Sequence, residues 1–516
     1  MLTFRRKGTF LCYLKDMTKR EKQLTHQVAN LNNKIKVLEE QLAQLRRDKF
    51  GQKREKMPEN PDELLDWDGE LDKLDRIDED EVVEIDVKNS KRKKRKKQDY
   101  AAFLKGLRRE KIIHELPEEE KKGLVCIAED EFERLAYTPP EYYVKVHVVR
   151  KYAVQGHSSS GVIVPDVPKS AVSGAFFDES FYAELLVRKF ADHLPLYRLE
   201  GIFDREGLPL KRQTMSKAIL KLAELLKPLH QRLRLKILEQ RRVFADETKV
   251  KVQQKEKCKT SYFWTLVGGT DHSATSPPLV YYRFFPDRKH ENAKTLLGEN
   301  FHGYLHSDAY QAYENLISKN SNVIWQPCWA HAHRKFFEAQ TSDPIREKVV
   351  RLIDELFMIE RKFWNLDKDP ELSENEIQIS KSLLRENSSQ QLVEEIFAEV
   401  KKFRYDGKFI PNGKINKACD YLLSKQTHFQ NFLSHSELRI DNNVCERNIR
   451  PLTIGRKNWL FAGSEKGGEA IAIISSLIQT CRNLQINPQQ YLESTLRRIN
   501  NTSEGNLDDL LPQNYK

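Results

Sequence analysis

Residues 241–252 read RRVFADETKVKV. Upstream of them apolar side chains recur at a helical period; here the period changes to two, which predicts a strand with Asp246 in its middle. SYFWTLVGGT (261–270) and PLVYYRFF (278–285) predict a second and a third strand. HENAKTLLGEN (290–300) reads as a short helix, GYLHSD (303–308) as a fourth strand and AYQAYENLI (309–317) as a helix. NVIWQP (322–327) predicts a fifth strand and CWAHAHRKFFEAQ (328–340) the helix after it. The order is a three-stranded meander followed by helix, strand, helix, strand, helix.

That order predicts an α/β core of ribonuclease H-like type, with the first strand central and the fourth beside it. Asp246 in the first strand and Asp308 at the end of the fourth would then share one edge of the sheet. A third acid, Glu446, lies far downstream in LRIDNNVCERNIRP (438–451) and reaches that edge only on a helix folded against the sheet. Asp441 or Asn442 is placed to cap this helix and Pro451 to end it. Gathered carboxylates repel unless cations neutralise them. Two Mg²⁺ ions, with Mn²⁺ as a substitute, about 3.5–4 Å apart would suit three acids and a phosphate substrate. Each acid also has an ordinary reading. Asp308 could cap the following helix, and Glu446 could form an i,i+4 pair with Arg450. Asp246 is harder to dismiss, because an unpaired carboxylate in an apolar strand costs several kcal/mol.

Working outward, residues 241–342 form the first part of the core and 437–495 its C-terminal part. Between them, 343–436 read as a helical insertion. Ile345, Val349, Leu352, Leu356, Ile359 and Phe363 give one helical stripe, and QLVEEIFAEVKKF and KINKACDYLLSKQTHFQNFL give two more. The C-terminal part predicts strand-like NWLFAG, a glycine loop SEKGG and an apolar helix EAIAIISSLIQTC, and 496–516 read as a tail. Residues 176–240 are helical, with Pro195 and Gly207 as breaks, in the outline of a helix-turn-helix. Lys211, Arg212, Gln213 and Lys217 would open the groove-entering helix. Residues 100–175 form a small domain in which EYYVKVHVVRKYAVQ (141–155) reads as a strand. Residues 58–99 run from an acidic stretch into KRKKRKK and read as a solvated charged linker. Within 1–57, Leu24, Val28, Leu31, Ile35, Leu38, Leu42 and Leu45 place an a/d seam over 20–47, predicting a coiled coil and self-association.

Composition narrows the partners. Eighty-seven lysines and arginines against 76 aspartates and glutamates give a net charge of +11, which favours a polyanion such as nucleic acid. No stretch of about 18 apolar residues is present, so no membrane span is expected. The N-terminus is too charged for a secretory signal. Seven scattered cysteines without a CxxC pair suggest reduced thiols in a cytoplasmic protein. Cys328, His331 and His333 could supply half a zinc site, but no second pair lies nearby, and i, i+3 and i+5 share a helix face poorly. No zinc site is therefore expected there, and a structural or DNA-contacting role is the preferred reading. Arg447, Arg450, Arg456 and Lys457 cluster beside Glu446 as candidate phosphate contacts, or as a solvated basic face. Gly463, Gly467 and Gly468 could admit a phosphate to the backbone or serve a turn with positive φ.

The segments DETKVKV (246–252), HSDAYQAYENL (306–316) with WQPCWAHAHRKFFEA (325–339), and IDNNVCERNIRPLTIGRKNWLFAGSEKGGEAIAIISSLIQTCRNLQINPQQYL (440–492) carry a resemblance. They resemble transposases of the insertion-sequence-66 family, and the last is long and specific. KFADHLPLYRLEGIFDREGLPLKRQTM (189–215) looks like the family's helix-turn-helix region, and LEEQLAQLRRDKFGQKREK (38–56) resembles its N-terminal leucine-rich segment. The likeness extends over about residues 28–495. It implies catalytic, metal-holding acids at Asp246, Asp308 and Glu446. It also implies cutting at the inverted repeats that end the element, to leave a 3′-OH that attacks target DNA. Two departures stand out. Where the family carries a CxxC-type zinc region, this chain has KKGLVCIAED with Cys126 alone, and Gln155-Gly156-His157 supplies no thiol, so 100–175 resemble a degenerate zinc-binding region. TMSKAILK also lacks a tryptophan often found there. A nuclease that cuts without joining, and a non-catalytic DNA-binding derivative, are the alternatives.

Overall fold

A computed structural model of the chain describes residues 141–152, 170–172, 174, 176–255, 257–269, 277–318, 322–339, 344–366, 373–405 and 413–515. The coiled coil expected over 20–47, the charged linker and Cys126 lie outside the described residues.

The fold is mixed α/β. Three helices come first: α1 (Glu179–Leu186), which runs into a π turn at Val187–Ala191, α2 (Leu196–Arg205) and α3 (Arg212–Leu238). Pro195 precedes α2 as expected, and Gly207, with φ of +84°, ends the turn after it. The strands follow the period change: β1 (Arg242–Gln253), β2 (Cys258–Gly268) and β3 (Leu279–Phe285). Then come α4 (Glu291–Leu297), β4 (Gly303–Ser307), α5 (Gln311–Ile317), β5 (Val323–Pro327) and α6 (Trp329–Phe337). Each expected strand and helix of this region is present in its expected order. The strand expected over 141–155 is not formed across its described part, apart from an isolated bridge at Tyr152. Tyr143, Val144, Val146 and Val148 are all exposed there, so its alternation buries no face. Tyr142 packs instead between the rings of Phe181 and Phe203.

The helical insertion comprises α7 (Ile345–Leu366), α8 (Glu374–Leu384) with a π turn at Arg385–Ser389, α9 (Gln390–Tyr405), α10 (Lys414–Leu423), α11 (Gln426–Phe429) and α12 (Asn431–Ser434). It has its own core, in which Val349, Leu352, Leu356, Val393, Val400 and Phe432 meet Trp329 and Phe336 of α6. The chain then returns through α13 (Asn443–Trp459), β6 (Phe461–Ala462), α14 (Glu465–Asn483) and α15 (Pro488–Arg498). Two expectations change here. Pro451 does not end the helix carrying Glu446, which runs through it for 17 residues. SEKGG is not a loop: Ser464 caps α14, its Oγ accepting the Gly467 N–H, and the glycines lie in the first turn. None of Gly463, Gly467 and Gly468 has a positive φ. A Cβ on Gly468 would stand 2.6 Å from the Phe284 ring, so close approach of α14 to β3 requires the glycine.

The sheet order is β3-β2-β1-β4-β5, with β6 also pairing with β1. β2 runs antiparallel to β1 along its whole length, from Val243↔Gly268 to Gln253↔Cys258. On its other side β1 is shared. Its start pairs in parallel with β4 (Phe244↔His306), and its end with β6 (Lys251↔Phe461). Residues 245–250 therefore face no strand on that side among the described residues. The far edge, β3, is covered by α14. Ser476 Oγ accepts the Tyr282 N–H at 2.8 Å and Thr480 Oγ1 accepts the Val280 N–H at 3.0 Å, so hydroxyls one helical turn apart replace a neighbouring strand.

His230 of α3 is sealed into this edge. Its Nε2 lies 3.0 Å from Tyr282 O and 3.2 Å from Ser476 Oγ, and its ring stacks on Tyr281. Burial pushes its pKa down to about 3. Below the ordinary value of 6.5 the unfolded chain takes up a proton that the folded chain refuses. Stability is therefore full above about pH 6.5 and drains as pH falls towards 3. His230→Gln is expected to flatten the decline in thermal midpoint across that window, measured by calorimetry; an unchanged slope would contradict it.

Candidate active site

β1 and β4 are parallel and aligned at Phe244↔His306, whose rings stack at 4.5 Å between centroids. The paired register ends there, and two residues further on each chain carries an acid: Asp246 on β1 and Asp308 just past β4. Asp246 Oδ1 accepts the Glu247 N–H at 2.8 Å, and Asp308 Oδ1 accepts the Tyr310 N–H at 3.1 Å. The latter is the turn-capping contact that an Asp after a strand ordinarily makes.

Glu446 arrives from α13, which runs along the open stretch of β1. The helix is pinned near both ends. Asn442 Nδ2 donates to Ala245 O at 3.0 Å, and Arg456 donates to Thr248 Oγ1 at 3.1 Å and to Lys249 O. Asn442 is the cap residue, but its side chain caps nothing; Asp441 Oδ1 accepts the Asn443 N–H instead. Glu446, one turn in, is only 7% exposed. Asn448 ties α13 to α14 by accepting from Gln479 and Asn483, and Tyr282 OH donates to Asn448 O.

The three acids meet electrostatically. Burial first, then the charges of Glu247, Asp308 and Glu446, hold the Asp246 carboxyl well above the usual carboxylate range. Glu247 is a fourth acid that sequence reasoning passed over. Burial and Asp308 push it up to about 7, although Arg288 opposes them. Arg288 Nε donates to its carboxylate at 2.7 Å, and Tyr313 OH donates at 3.3 Å. The visible signal was the acidic doublet Asp246-Glu247; the partner, Arg288, sits in the turn after β3 and follows no motif.

The insertion fixes the approach to Glu446. Arg385 is 2% exposed. It grips Glu360 with two bonds of 2.8 and 2.7 Å and donates to the carbonyls of Phe432, His435 and Leu438. A little further on, Trp329 N–H donates to Ile440 O at 2.8 Å, and Asn442 N–H to Cys328 Sγ at 3.3 Å. The segment 432–442 is thus fastened to the insertion and to α6 just before it delivers Glu446.

Lys211 is the residue before α3, and Arg212, Gln213 and Lys217 lie in its first two turns; all four are exposed. Lys211 pairs with Glu200 at 3.4 Å. Further along, α3 buries Leu222, Leu226, Leu229 and Leu233 in the core it shares with the sheet. Arg447 and Arg450 are half-buried on α13, Lys457 is exposed, and Arg456 is committed to β1. The two histidines after Cys328 separate. His331 Nδ1 lies 3.5 Å from Glu446 Oε1, whereas His333 Nε2 faces Asp354 at 2.9 Å. No helix among the described residues is long and apolar enough to cross a membrane.

Comparison with known proteins shows the family. Residues 174–470 match the "Transposase IS66 family", which takes in every acid described above. The chain belongs to the IS66 transposase family. Residues 476–513 match its "IS66 C-terminal element", and 37–112 match "Transposase C of IS166 homeodomain". The chain is 33% identical over 403 residues to "Uncharacterized protein y4qI" of Sinorhizobium fredii, covering 76% of this chain and 72% of that one. A second protein of that organism, "Uncharacterized protein y4jD", is 30% identical over 404 residues, covering 76% of both.

Two outcomes follow from the geometry. Asp246→Asn removes one of the crowded acids, so the thermal midpoint should rise in EDTA. A lower midpoint in EDTA would contradict the repulsion. Arg385→Ala strands Glu360 without its partner and should destabilise the fold by about 3–5 kcal/mol in urea unfolding; a loss under about 1 kcal/mol would show that the clamp is incidental.

Proposed function

We propose that this protein is a DNA transposase that cuts at the ends of an insertion sequence and joins the freed 3′-OH to target DNA. The observation that carries the reading is the convergence of Asp246, Asp308 and Glu446 on the open edge of β1. A strand meander, a parallel β1–β4 pair and a distant helix bringing the third acid also support a ribonuclease H-like core with a DDE set. The chemistry of the donor set fits divalent cations. Burial first, and then three neighbouring carboxylates, push Asp246 towards its neutral form, a cost that bound positive charge would relieve. Two Mg²⁺ ions, with Mn²⁺ as a substitute, would neutralise the transferring phosphate and activate the attacking oxygen. Asp246, Asp308 and Glu446 would hold them, and Arg288 would keep Glu247 charged and fixed beside them.

In the first step water attacks the scissile phosphodiester and a 3′-OH leaves. In the second, that 3′-OH attacks a target phosphodiester in line, and a new 3′-OH leaves from the target. Both are direct displacements, with no covalent link between enzyme and DNA. Arg447, Arg450 and Lys457 are positioned on the helix of Glu446 to contact phosphates, with Arg456 anchoring that helix to β1. Lys211, Arg212, Gln213 and Lys217 form an exposed, mostly basic start to α3, suited to reading terminal inverted repeats. The domain organisation from coiled coil to C-terminal tail, pairing of protomers through residues 20–47, and action in the cytoplasm complete the proposal.

The test is cleavage of labelled element ends in Mg²⁺. Wild-type protein should give cut ends and joined products. Asp246→Ala, Asp308→Ala and Glu446→Ala should each lower cleavage by roughly 10³-fold or more, a barrier rise of about 4 kcal/mol, while binding to DNA persists. Cleavage without joining would identify a nuclease, and undiminished cleavage by Asp246→Ala would refute the site.

A further inference from the structure

We propose that Cys328, His331 and Glu446 form a second metal site, for a thiophilic dication such as zinc, with Glu446 common to it and to the acid cluster. The three donor atoms come from two helices. Cys328 caps α6, His331 lies in its first turn, and Glu446 lies in the first turn of α13. Cys328 Sγ, a His331 ring nitrogen and a Glu446 oxygen all lie within 4.8 Å of one another. Tetrahedral ligands at about 2.0–2.3 Å from zinc stand roughly 3.3–3.8 Å apart. The 3.5 Å between His331 Nδ1 and Glu446 Oε1 falls inside that range. Small closing movements of the thiol would complete the set.

A second observation concerns the sulfur. Cys328 is 1% exposed, and its Sγ accepts the Asn442 N–H at 3.3 Å. An amide aimed at a sulfur at the start of a helix stabilises a thiolate. A bound dication would hold the sulfur as a thiolate, because a coordinating thiol gives up its proton.

The donor set decides which cation. Thiolate and imidazole select zinc or cobalt over Mg²⁺, which takes oxygen ligands. Three protein donors leave a fourth position open, as in zinc sites that bind water or substrate. His333 does not belong to the set, since it is turned to Asp354. The site stands on its own geometry; its effect on DNA cleavage rests on the function proposed above. Because Glu446 serves both donor sets, filling the thiol site changes how its carboxylate is presented to Asp246 and Asp308.

Cobalt reports this site directly. Full-length protein titrated with Co²⁺ should develop intense visible bands of tetrahedral cobalt and a near-ultraviolet sulfur-to-cobalt band, saturating at one equivalent. Cys328→Ser should abolish the sulfur band. His331→Ala, at a half-buried position, should weaken Co²⁺ binding by about 100-fold, at or beyond the loss that removing an outer partner causes. His333→Ala should leave the spectrum unchanged. Absence of the sulfur band in wild type, its survival in Cys328→Ser, or undiminished affinity in His331→Ala would each overturn the proposal. If DNA is cleaved in Mg²⁺ but cobalt gives no sulfur band, this inference alone fails. If the band forms but DNA is not cleaved, the transposase reading fails instead.

Discussion

Asp246 cannot ionise cheaply where it stands. It is sunk into a central strand with Glu247 beside it, Asp308 just past the end of the neighbouring strand and Glu446 on the helix across the gap. Crowding like charges out of water is unfavourable, and a fold selected for stability alone would not do it. Much of the surrounding architecture reads as the means of holding that arrangement. β1 is paired on one side throughout but only at its two ends on the other, which leaves the acidic middle of the strand accessible. α13 occupies that opening, and its attachments to Ala245 and Lys249 fix it along the strand rather than at a single point.

The helical insertion takes on a structural purpose from this constraint. It separates the second acid from the third in sequence, yet it anchors the segment that carries the third into place. Arg385 is central to the joint, since one buried guanidinium satisfies both oxygens of Glu360 and three consecutive-turn carbonyls ahead of Asp441. Cys328 and Trp329, both in the insertion's core, are bonded to Asn442 and Ile440, just ahead of Glu446.

How much of this was legible in the sequence depended on the range of the interaction. The strands and helices from 242 to 337 followed directly from changes of period, because each is set by local alternation and by a buried face. The parallel placement of β4 beside β1 was legible too, since a parallel neighbour reached through one crossover has little freedom of register. The length of α13 was misread. Proline reads as a stop, but tertiary contacts through Asn448 and Arg456 carry the helix past Pro451. The segment 141–152 was misread for the opposite reason: its alternation was strong, but no partner strand among the described residues buries it. The meeting of Cys328 and His331 with Glu446, and of Glu247 with Arg288, had no sequence signal, because the partners lie on different elements with unrelated spacing.

Family membership and geometry address different questions here. The match over 174–470 says which family this chain belongs to; on the function proposed above, the acids are where its chemistry would occur. The most direct test of that location is anomalous diffraction from crystals grown in Mn²⁺. The account predicts manganese peaks within coordinating distance of Asp246 and Asp308, with Glu446 reaching at least one of them. Crystals with ordered acids and no manganese between β1, β4 and α13, or with manganese only elsewhere on the chain, would contradict it.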